Sequence, residues 1–132
     1  MARTPLRRLT LEGRTFLWRR LHTHAPAGAP ARDCAERVVV FLEGAKRGPL
    51  ELLFREDASW KVGYPQSGAL FRAEPLRVYD LHRPKVIAAL VRHALGVGWA
   101  PETARAPFMV QDGLAFLEAA GAPTGFAGVA DA

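Results

Sequence analysis

The stretch PKVIAALVRHALGVGWAP, residues 84 to 101, places Val86, Ile87, Leu90, Val91, Ala94 and Leu95 on one stripe at the period of an α-helix. No other part of the chain sustains that period for about three turns. One amphipathic helix therefore has to be buried by elements of another kind. Pro84 suits the first helical position, where its missing N–H costs nothing. Gly96 is placed to close the helix in the left-handed conformation, and Pro101 prevents its resumption. Lys85 and Arg92 fall on the far side. Trp99, just past the glycines, is expected to fold back and plug the edge of the core.

The rest of the chain supplies short β-type runs. RRLTLEGRTFLWRRL reads as a hairpin about Glu12 and Gly13, with Leu9 and Leu11 on one side of the first strand and Phe16 and Trp18 on one side of the second. RVVVFL (37–42) and LELLFR (50–55) form a second hairpin across EGAKRGP. Residues 22 to 36 are broken by Pro26 and Pro30 and read as a loop. Residues 57 to 75 read as a long loop carrying aromatic residues, and LRVYDL (76–81) as a candidate fifth strand. PFMV (107–110) reads as a short closing strand, and QDGLAFLEAAG as a short helix with Asp112 at its N-cap and Gly121 at its stop.

The expected fold is α+β: an antiparallel sheet of four or five strands from residues 6 to 81, one main helix at 84–95 packed on one face, and a short C-terminal strand and helix. Residues 1–120 make a single domain of ordinary size, and residues 121–132 a flexible tail. The core is expected from Leu9, Leu11, Phe16, Trp18, Val38, Val40, Leu52, Phe54, Val86, Ile87, Leu90, Val91, Leu95, Trp99 and Phe108.

The net charge of +5 is concentrated: residues 1 to 20 hold six arginines against Glu12, whereas the rest of the chain balances twelve cations with twelve carboxylates. Arg7, Arg8, Arg14, Arg19 and Arg20 on a hairpin with Phe16 and Trp18 are the ingredients of a polyanion or nucleic-acid site, arginine for phosphate and aromatics for bases. Trp60, Tyr64 and Phe71 in the long loop are the candidate contact residues for a protein partner. No run of about 18 uncharged apolar residues occurs, and nothing at the start has the core of a signal peptide, so a soluble cytoplasmic protein without membrane contact is expected.

Catalytic constellations are thin. Cys34 is the single cysteine, which excludes an internal disulfide and a multi-cysteine zinc site. His22 and His24 have the spacing of two ligands on one strand face, with Asp33 and Cys34 downstream, but no further donor is evident and no metal is expected. Cys34 with His82 or His93 lacks the surroundings of an active-site thiolate. Glu56 and Asp57 are adjacent, so they diverge rather than converge on one proton. Neither EGAKRGP nor GVGW is a phosphate-binding glycine loop. The reading is a non-catalytic interaction or accessory domain for a protein partner, without a cofactor. Nucleic-acid or polyanion binding by the N-terminal hairpin is the alternative.

Two segments resemble the ends of a family of small bacterial proteins. The opening LTLEGRTFLWRRL is similar to a hairpin in which a Trp-Arg pair, here Trp18-Arg19, stands on the second strand. The run from Pro84 to Pro101, with Phe108 beyond, is similar to a helix that starts at Thr-Pro and ends in Gly-Trp-x-Pro before a Phe-containing strand. Arg83 stands where the threonine would cap the helix, and Phe16 where the family has tyrosine. The resemblance covers about two-thirds of the chain and implies no activity.

Overall fold

Residues 5–23, 35–55, 60–62, 69–72 and 77–125 are described by the computed structural model, with backbone alone for 60–62. β1 (Arg7–Leu11) and β2 (Arg14–Thr23) turn about Glu12 and Gly13, at φ 51° and 79°. Positive φ at both central residues is the turn whose twist matches that of paired strands. β3 (Ala35–Leu42) and β4 (Ala45–Arg55) turn about Glu43 and Gly44, the latter at φ 85°. Then come β5 (Trp60–Val62), β6 (Ala69–Arg72), β7 (Arg77–Asp80), α1 (Pro84–Gly96), β8 (Phe108–Val110) and α2 (Gly113–Ala119).

Among the described residues the chain is α+β with a mostly antiparallel sheet of five strands, in the order β1-β2-β3-β4-β8, and two helices. Two placements differ from expectation. The run at 76–81 does not extend this sheet: β7 pairs with β6 in a separate three-stranded sheet, β5-β6-β7. The fifth strand of the main sheet is instead β8, parallel to β4 through Leu50↔Phe108 and Leu52↔Val110. Alternation specifies the face of a strand, not its neighbour.

One core joins the inner face of the large sheet to both helices and to the small sheet. Leu11, Phe16, Trp18, Val38, Val40, Leu50, Leu52 and Phe54 are buried together with Val86, Ile87, Leu90, Val91, Leu114 and Leu117, and with Leu70, Tyr79 and Leu81. Leu9, Leu95 and Phe108 are partly buried against it. At the end of α1, the Val97 N–H donates to the His93 carbonyl (3.0 Å) and the Trp99 N–H to that of Ala94 (2.9 Å). The left-handed residue here is Gly98, φ 118°, rather than Gly96, which is still helical. Trp99 is 2% exposed; its Nε1–H donates to the Gly48 carbonyl at 2.8 Å, and its ring lies 5.8 Å from that of Phe16.

Arg83 makes no side-chain cap for α1. Its Nη1 instead donates to the Thr124 carbonyl at 2.9 Å, while Gly125 N–H donates to the Val78 carbonyl at 2.8 Å. Ala122 is buried. Thr124 and Gly125 are thus hydrogen-bonded to Arg83 and Val78; residues 126–132 of the expected tail lie outside the described residues.

Candidate functional site

Strand alternation gives the large sheet a second face, and the register fixes what stands on it. Arg8 is opposite Leu17, and Leu17 opposite Phe41. Arg19 is opposite Val39, Val39 opposite Glu51, and Glu51 opposite Met109. Leu21 is opposite Arg37, and Arg37 opposite Leu53. Six large apolar side chains, Leu17, Leu21, Val39, Phe41, Leu53 and Met109, therefore share this outer face. All are half-buried except Met109, which is 45% exposed. Among the described residues none of the six belongs to the core or packs against it. The second helix serves the other side: a Cβ on Gly113 at the start of α2 would stand 2.8 Å from the inward Phe54 ring.

The charges of the outer face are ordered as well. Arg37 is ion-paired with Glu51, and Arg8 with Glu43 at 2.7 Å. Lys46 Nζ sits 5.8 Å from the centre of the Phe41 ring, at cation–π range. Arg19 and Arg55 have no ion pair among the described residues.

Of the five arginines singled out in the N-terminal hairpin, four are engaged within the chain. Arg7 donates to the His82 carbonyl at 2.7 Å and lies over Trp18 at 4.7 Å. Arg8 holds Glu43. Arg14 donates to Glu102 at 2.8 Å and lies over Phe16. Arg20 donates to Glu36 at 2.7 Å. The set is split between the two faces of the sheet, since Arg7 pairs with Trp18 on the inner side and Arg8 with Leu17 on the outer. Of the proposed aromatic contact set, Phe71 is half-buried on β6, whereas Tyr64 and the Trp60 side chain lie outside the described residues.

Glu36 was not anticipated as a special residue and is fully buried. It receives Arg20 on one oxygen and meets His22 Nδ1 at 3.0 Å on the other, with both partners 10% exposed. A buried carboxylate requires such partners. His22 thus sits against a carboxylate, while His24 and Cys34 lie outside the described residues. His93 stacks edge-on against Phe116 at 4.6 Å, and the His82 N–H donates to Asp80 Oδ1 at 2.9 Å.

Open clefts lie among the described residues. One of about 640 Å³ lies between Lys46, Arg47, Glu102 and Arg105. Another, about 730 Å³, lies between Thr10, Lys85, Arg92, His93 and Pro123. Among the described residues no three His, Cys, Asp or Glu side chains converge as metal donors, and no helix is long and apolar enough to cross a membrane. No protein-family model, curated protein or solved structure matches the chain.

Proposed function

We propose that this chain is a small non-catalytic interaction domain that binds a protein partner through the outer face of its five-stranded sheet. The observation that carries the reading is the set of six large apolar side chains on a face to which, among the described residues, the core does not extend. An antiparallel sheet with one solvated face ordinarily turns polar residues outward. Here the outward positions of β2, β3 and β4 include Leu17, Leu21, Val39, Phe41 and Leu53. Five strands about 4.8 Å apart and some six residues long present a face of several hundred Å², on which the six apolar side chains stand together among charged ones. Aliphatic, aromatic, methionine and arginine side chains together are also the make-up of protein interfaces. A single cysteine is at ease in a reducing compartment, so the reading places this work in the cytoplasm.

The alternative, polyanion binding by Arg7, Arg8, Arg14, Arg19 and Arg20, has less support. Glu43, Glu102 and Glu36 stand among these arginines and offset the field a phosphate would meet.

A photo-crosslinking amino acid in place of Phe41, compared with one in place of the exposed Arg92, tests the reading in the producing cell. A discrete adduct with another protein is expected from position 41 and not from 92. It should vanish when Leu17→Ser and Leu53→Ser are combined in a chain that circular dichroism shows to be folded. No adduct from position 41 in the folded protein overturns the proposal.

A further inference from the structure

The outer face carries more than apolar area: its charge is lopsided. Among the described residues, Arg8, Arg19, Arg37, Lys46 and Arg55 stand on it against Glu43 and Glu51, five cations to two carboxylates. Arg19, Arg37 and Arg55 lie on a diagonal, each one strand over and two residues along from the last. Strand spacing and rise put successive members about 8 Å apart at the backbone. Glu51 neutralises the middle one. What remains is a positive charge at each end of the diagonal, about 16 Å apart, with Leu21, Val39 and Leu53 between and Phe41 and Met109 alongside.

We infer that the partner is an acidic protein surface, one that sets carboxylates against Arg19 and Arg55 around an apolar centre. The inference rests on the interaction reading of this face and adds the chemistry of what it binds. A second copy of the chain would bring a like-charged face against this one, and like charge across an interface opposes association. A nucleic-acid strand fits poorly for two reasons. A single aromatic, Phe41, stands among the six apolar residues, whereas strand-binding sheets stack bases on several. A duplex backbone bears a charge every ~3.4 Å of axis along each strand, but here the central cation is already paired, and the two that have no ion pair among the described residues are far apart. Carboxylates on a folded surface or an extended acidic segment can meet two separated arginines while their aliphatic neighbours fill the centre. Charge of this kind governs encounter rate and choice of partner more than raw affinity.

Selection of random 16-residue displayed peptides on the full-length chain is the test. The expected winners carry at least two carboxylates flanking apolar residues. Their binding weakens severalfold between low and moderate salt, and falls about tenfold on Arg19→Gln with Arg55→Gln. Phe41→Ser with Val39→Thr should abolish it. Neutral or basic winners that ignore the arginine pair but are lost with Phe41→Ser and Val39→Thr overturn the acidic partner and leave the interaction face standing. Winners indifferent to both pairs of substitutions overturn both. Tighter binding of a thymidine 20-mer than of any peptide, or sedimentation as a dimer that Phe41→Ser dissociates, also overturns the acidic partner.

Discussion

Glu12 is the one non-glycine residue at positive φ among the described residues, 51° in a turn that needs positive φ at both centres. A left-handed conformation costs a side chain with a Cβ roughly 1 kcal/mol. Glu12→Asn should therefore stabilise the protein by about 0.5–1 kcal/mol, read as a higher urea midpoint at unchanged slope. Glu102 offers a test in pH. Its pKa is lowered from the ordinary glutamate value, first by the side-chain hydrogen bond from Arg14 and next by a backbone hydrogen bond. A folded-state pKa below the unfolded one adds stability that is complete above the unfolded value and is lost as pH falls through the folded one. The gap in unfolding midpoint between the parent and Glu102→Gln should be present at neutral pH, small because the pair is exposed, and closed in acid. A gap unchanged in acid would remove the ion pair as its source. Such pairs were not legible in the sequence. Arg14 and Glu102 are 88 positions apart, and Glu36 reads as the last residue of a loop until the fold brings Arg20 and His22 against it.

At the scale of elements, the parts with a strong period were legible. The α1 stripe is visible because Val86, Ile87, Leu90 and Val91 recur every three or four residues, and all four are fully buried. Its end was legible only in kind. Two glycines compete for the left-handed position, and the hydrogen bonds to His93 and Ala94 choose Gly98. The small sheet was hidden because β5 and β6 are three and four residues, too short for alternation to stand out, and β7, legible as a strand, carries no sign of its partner. β8 reads as a strand, but its parallel partner is set by the α1 crossover, which no local pattern reports. Trp99 ties these elements together by donating to the carbonyl of Gly48 on β4. Gly48 has no room for a side chain, since a Cβ there would overlap Ala104. Trp99→Phe keeps the ring in its slot but leaves that carbonyl buried and unpaired, at a cost of about 1–3 kcal/mol. Trp99→Phe with unchanged thermal and denaturant midpoints would show that water replaces the bond.

The arrangement of layers in the whole molecule is tested most directly by three consecutive valines. Val38, Val39 and Val40 are identical in type and neighbours on β3, so propensity and local sequence treat them alike. The sheet separates them: Val38 and Val40 are fully buried in the core, whereas Val39 stands half-buried on the outer face among Arg19, Glu51 and Phe41. This is why the inner face was legible and the outer one was not. Alternation predicted which residues point inward, but an outward leucine or valine looks, in sequence, like any other strand-forming residue. Valine to threonine keeps the volume and the β-branch while adding a hydroxyl. At Val38 or Val40 that hydroxyl enters a core without a partner for it, and each substitution should cost about 1–3 kcal/mol. At Val39 the hydroxyl meets solvent, and the change should fall within about 0.5 kcal/mol. Equilibrium unfolding of the three single variants, side by side, reads the difference. Equal losses at all three positions would mean that the outer face is covered within the chain itself, and the docking surface would be gone. A loss confined to Val38 and Val40, with Val39→Thr stable yet weakened in peptide binding, separates the face that folds the protein from the face that meets its partner.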